Sequence, residues 1–94
     1  MLYYEGRWNE NRGDEFASWG GSDWYFEVQP DGIVVRQMEV YDSGSVLQYD
    51  AEHLEDHYGM LADQPFDAET FPGSAITREE FEHAWSTNSP TNRQ

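Results

Sequence analysis

The 94-residue sequence contains no cysteine, no lysine and no apolar run long enough to cross a bilayer. Without cysteine there are no disulfides and no thiolate metal sites. Without a long apolar run there is no membrane-spanning helix. The opening Met1-Leu2-Tyr3-Tyr4-Glu5 also lacks the basic-then-apolar order of a secretory leader, so the expected location is cytoplasmic. The missing lysine belongs to a larger imbalance: nineteen acids face five bases, all arginine, for a formal net charge of −14. Such a field repels nucleic acid and anionic membranes and attracts a basic protein, at an association rate that salt depresses. The acids are unevenly placed. Between Arg36 and Arg78 there is no base, while Glu39, Asp42, Asp50, Glu52, Glu55, Asp56, Asp63, Asp67 and Glu69 fall there. Acidity of this kind also fits adaptation to salt, and absence of lysine fits a GC-rich genome; neither bears on fold.

What the chain has is aromatics: four Trp, six Tyr and five Phe. A domain of this size buries only about 60–65% of its unfolded surface, so a small core needs side chains that each bury roughly 150–250 Å². They cluster around a predicted meander. Trp24-Tyr25-Phe26-Glu27-Val28-Gln29, Ile33 to Tyr41 and Ser45 to Asp50 read as three strands. Pro30-Asp31-Gly32 and Asp42-Ser43-Gly44 join them as three-residue hairpin turns ending in a glycine bulge. That register puts Val28 opposite Val34, Phe26 opposite Arg36, Trp24 opposite Met38 and Val40 opposite Val46. Trp24, Phe26, Val28, Val34, Met38 and Val40 then form one apolar face. A two-residue second turn would instead bring Leu47 and Tyr49 to that face. Arg36 falls among the apolar residues and needs a carboxylate, either Asp50 or a neighbouring Glu.

Leu2 to Trp8 reads as a further strand. Asn9 to Asp23 has no sustained period and is a long loop, of a length that is often functional. It carries Asp14, Glu15 and Trp19; Trp19 is either a binding anchor or a lid on one end of the core. From Asp50 to Gln64, Leu54, Tyr58 and Leu61 have helical spacing, which predicts a turn or two of helix capped by Asp50. His53 and His57 share a face of such a helix, but the glutamate position of the zinc motifs is not filled and no third ligand is marked, so no metal is expected. Pro65 to Ala75 is a connector. Thr77, Glu80 and Ile76 give the next helix an N-cap, a capping box and a hydrophobic staple, and Phe81, Ala84 and Trp85 give it an apolar stripe. Residues 87–94 are polar, include Pro90 and read as a disordered tail.

Several of these residues resemble a family of small bacterial domains of unknown function. The shared features are an early strand with Trp8, the run Val35-Arg36-Gln37-Met38-Glu39-Val40-Tyr41 closed by Gly44, the Leu61-to-Pro65 segment, and the terminal Glu80-Phe81-Glu82-x-x-Trp85. The Asn9 to Asp23 loop has no counterpart in that pattern. The resemblance implies an immunity protein that neutralises a toxin.

The expected architecture is α+β: residues 1–86 form one domain, an antiparallel, mostly meander sheet of about four strands with one C-terminal helix on one face. The expected function is non-enzymatic, without cofactor: an immunity protein or inhibitor that occludes a basic protein partner, a cognate toxin, with no nucleic acid and no membrane involved. Its binding residues would be Asp14, Glu15, Trp19, Glu52, Glu55, Asp56, Asp63, Asp67 and Glu69. The alternative is a nucleic-acid mimic that inhibits a DNA- or RNA-binding enzyme. No Ser-His-Asp set or phosphate loop is visible.

Overall fold

The computed structural model describes residues 1–93. Strands β1 (Leu2–Trp8), β2 (Ser22–Val28), β3 (Val34–Tyr41) and β4 (Val46–Tyr49) form the expected antiparallel meander. A short fifth strand, β5 (Gly73–Ala75), returns from the connector to pair with β1, giving the order β4-β3-β2-β1-β5. Close approach explains why glycine stands there: a Cβ on Gly73 would lie 2.1 Å from the Glu5 carbonyl oxygen. Helix α1 (Arg78–Thr87) begins at Thr77 with the full capping box. The Thr77 hydroxyl accepts from the Glu80 amide at 3.1 Å, and the Glu80 carboxylate accepts from the Thr77 amide at 3.0 Å.

Both hairpin turns have the expected form. Gln29 N–H donates to the Ile33 carbonyl at 2.8 Å and Tyr41 N–H to that of Ser45 at 2.9 Å. Gly32 and Gly44 each take φ of +95°. The first hairpin departs from expectation one step beyond its turn. Val28 faces Val34, but Glu27 faces Arg36, so a bulge absorbs Val35 and shifts everything that follows. Phe26 therefore faces Gln37 and Trp24 faces Glu39. A one-residue slip exchanges the faces of a strand. Met38 and Val40 leave the face of Trp24 and Phe26, while Gln37, Glu39 and Tyr41 join it. The second hairpin keeps its three-residue register, with Val40 opposite Val46. Leu47 and Tyr49 nevertheless reach the aromatic face, because the bulge has already turned β3 over.

The helix packs on the opposite side from the aromatic face. Phe81, fully buried, lies 5.3 Å from the Tyr3 ring. Arg36 is on this side too. Its Nε meets Glu27 Oε1 at 2.6 Å and its Nη2 meets Glu82 Oε1 at 2.7 Å. The partners are thus glutamates and not Asp50, the first expected candidate, which instead pairs with Arg93 at 2.8 Å. Gln48 is buried beneath the helix end, donating to the carbonyls of Trp85 at 2.9 Å and Asn88 at 3.2 Å.

The end of the chain corrects the expectation of a disordered tail over 87–94. Residues 87–90 lead from α1 into a 3-10 turn at Thr91–Arg93 that docks on the outer edge of β4. The Asn92 side chain accepts from Gln48 N–H at 3.1 Å and donates to the Gln48 carbonyl at 3.1 Å. Thr91 Oγ1 accepts from Val46 N–H at 2.9 Å. Polar side chains here satisfy an edge strand that would otherwise present unpaired backbone groups. Gln94 lies outside the described residues.

Candidate functional site

The aromatic face of the sheet is covered by loops, residues 9–21 between β1 and β2 and residues 50–72 between β4 and β5. Phe26, Val28 and Val34 pack under Leu61, Phe66 and Phe71, and Tyr41, Leu47 and Tyr49 under Trp19, Tyr58 and Leu61. All nine residues expected to bind a partner lie on these two loops, and so on one side of the sheet.

Their roles differ. Trp19 sits in a short 3-10 turn, half-buried, with its ring 5.1 Å from Tyr41 and 5.6 Å from Tyr58. It covers one end of the core and stays partly accessible. Asp14 holds its own loop by accepting from Phe16 N–H at 2.8 Å and from Arg12 Nε at 3.1 Å. The Phe16 amide, followed by Arg12, keeps its carboxyl below the usual range.

Asp56 is a structural hub. Its Oδ1 accepts from Tyr49 Oη at 2.8 Å, Tyr58 N–H at 2.9 Å and Gly59 N–H at 3.2 Å. Its Oδ2 meets His53 Nε2 at 2.7 Å and Asn92 Nδ2 at 2.9 Å. Burial pushes this carboxyl up, but the bonds from His53, Asn92 and Tyr49 outweigh it and hold the group well below the usual range. The expected helix over 50–64 is absent: Asp50 bridges to His53 and Glu55 to Met60, so a carboxylate-centred loop takes its place. Among the described residues no three His, Cys, Asp or Glu side chains are grouped as metal ligands.

Glu15, Glu52, Glu55, Asp63, Asp67 and Glu69 are exposed and make no ion pair among the described residues. The two loops contain one arginine, Arg12, and it is turned inward. Its Nη2 donates to the Tyr58 carbonyl, its Nε pairs with Asp14, and its guanidinium lies 5.1 Å from the Phe16 ring centre.

Beside Arg12 opens a cavity of about 290 Å³ that the sequence did not reveal, lined by Arg12, Asp14, Trp24, Gln37, Glu39, Tyr41, Tyr58, Gly59 and Met60. Its most buried side chains are Gln37, Tyr41 and Glu39. Glu39 Oε1 accepts from Tyr41 Oη at 2.6 Å, and Oε2 accepts from Gln37 Nε2 at 2.9 Å. Burial raises the Glu39 carboxyl above its ordinary value, with the bonds from Tyr41 and Gln37 opposing that rise. The alternation Gln37, Glu39, Tyr41 was the available signal, but without the bulge it pointed to the other face.

No protein-family model matches this chain, and comparison with curated proteins and with solved structures gives no match.

Proposed function

We propose that this chain is a non-enzymatic binding protein that occludes a basic protein partner with its loop-covered face, in the manner of an immunity protein acting on a toxin. The observation that carries this reading is the outward carboxylates of one side. Glu15, Glu52, Glu55, Asp63, Asp67 and Glu69 are exposed and unpaired among the described residues, and the one arginine on their loops is spent internally. On the helix side Arg36 bridges Glu27 and Glu82, so the acids there are partly compensated. A concentrated, unneutralised field steers a cationic partner to one side and gives an association rate that falls with salt.

The test is co-expression with the protein encoded beside this chain. Immunity predicts that the chain restores growth to cells making that protein, and that reversing Glu52, Glu55, Asp67 and Glu69 to Lys abolishes the rescue while the purified variant keeps its circular dichroism spectrum. Undiminished rescue by the folded variant would contradict the proposal.

A further inference from the structure

We propose that the cavity beside Arg12 is a receptor for one arginine side chain of the basic partner, with Glu39 as counter-charge and the rings of Trp24, Tyr41 and Tyr58 among its walls. The inference rests on the binding reading above and names the side chain the face would select. Four observations converge on it. Its volume of about 290 Å³ falls just below the roughly 300–1,000 Å³ of small-molecule sites and suits a single side chain. Two carboxylates, Asp14 and Glu39, line it against one guanidinium, that of Arg12, leaving the lining one cation short. Arg12 acts on Glu39 only through space: its bonds go to Asp14 and the Tyr58 carbonyl, and it makes no ion pair with Glu39. Glu39 is 5% exposed and makes no ion pair among the described residues, whereas a buried charge is ordinarily paired.

Arginine fits better than lysine for a physical reason. A guanidinium is planar, weakly hydrated and stacks on aromatic faces, while an ammonium is compact and strongly hydrated. The molecule already uses this contact elsewhere, with Arg36 lying 4.8 Å from the Phe81 ring centre and 5.0 Å from that of Trp85. Arginine is also enriched among the residues that dominate interface energies.

The experiment titrates the purified chain with Nα-acetyl-arginine methylamide and with its uncharged citrulline analogue, followed by calorimetry and by the NMR signals of the tryptophan indoles. The arginine probe should bind weakly, with Kd on the order of millimolar. It should bind at least tenfold tighter than the citrulline probe and shift the Trp24 indole more than those of Trp8 and Trp85. Glu39→Gln should weaken arginine binding at least tenfold. Equal binding of the two probes, or shifts that leave Trp24 unmoved, overturns the proposal on the wild-type protein alone, whatever the variant's folding. Unchanged binding by a folded Glu39→Gln protein does the same. If the pocket fails in this way while reversal of the loop acids still abolishes rescue, the acidic-face reading stands without it. If the probe binds as expected but rescue is insensitive to reversal, the pocket stands and the acidic-face reading falls.

Discussion

The two sides of the sheet are covered in different ways. On one, a single ten-residue helix with a complete N-cap lays Phe81 into the sheet, and Arg36 ties Glu27 to Glu82 beneath it. On the other, residues 9–21 and 50–72 spread half-buried rings over the sheet, fold around the Asp56 carboxylate, and leave a cavity and a set of outward acids. A capped helix satisfies its first backbone groups with its own cap and lays its apolar stripe on the core. Loops must satisfy their backbones with side chains such as Asp14 and Asp56, and what remains faces out. Under the proposed reading, the helix side serves stability and the loop side carries the binding surface.

The comparison breaks first at Phe81. Phe81→Ala should cost about 3–5 kcal/mol in denaturant unfolding, because the ring is fully enclosed. Phe66→Ala, removing a half-buried ring of the covering loop, should cost less. Equal losses would mean that the loops hold the fold as firmly as the helix does.

The ion-pair triad comes next. Arg36→Met should cost about 1.5–3 kcal/mol, since Glu27 keeps only the Tyr3 hydroxyl, at 3.0 Å, as a side-chain donor. Combining it with Glu27→Gln should recover most of that loss in thermal melts, and a double variant as unstable as the single one would show that the arginine acts mainly through packing. Thr77→Ala sharpens the same side with a smaller loss of about 0.5–2 kcal/mol, from the cap alone.

The smallest effect is expected on the loop side and depends on pH. Asp56 has a folded-state pKa below its unfolded value of about 3.9, so its contribution is present above that pH and disappears as pH falls through and below it. Glu39 has the opposite sign. Its folded-state pKa is raised above an unfolded value of about 4.3, so ionising it lowers stability as pH rises from there through the folded pKa. Glu39→Gln should therefore melt no lower than wild type at pH 7, and its relative advantage should shrink toward pH 4. A variant less stable at pH 7 than at pH 4, relative to wild type, would reverse that sign.

Much of the helix side was legible in the sequence. Thr77 and Glu80 mark a helix start by local chemistry, which tertiary context had no reason to override, and both hairpin turns were fixed by Pro30-Asp31-Gly32 and Asp42-Ser43-Gly44. The loop side was not, for two reasons. The bulge at Val35 has no glycine or proline to announce it, yet it decides that Glu39 rather than Met38 faces the aromatic cover. The loops are also organised by long-range contacts, such as Asp56 with Tyr49 and Asn92, that no local window contains. Helical spacing of Leu54, Tyr58 and Leu61 was therefore misleading: Tyr58 and Leu61 reach the core from an irregular chain, and Leu54 stays exposed.

The division between the two sides is tested most directly by an amide NMR titration of the ¹⁵N-labelled chain with a deca-arginine peptide at low ionic strength. The account predicts shifts concentrated in residues 12–19 and 52–69, fading as salt is raised. Shifts of equal or greater size at Glu79, Glu80 and Glu82 on the helix would contradict it, because they would show that a cationic partner reads net charge and not a face.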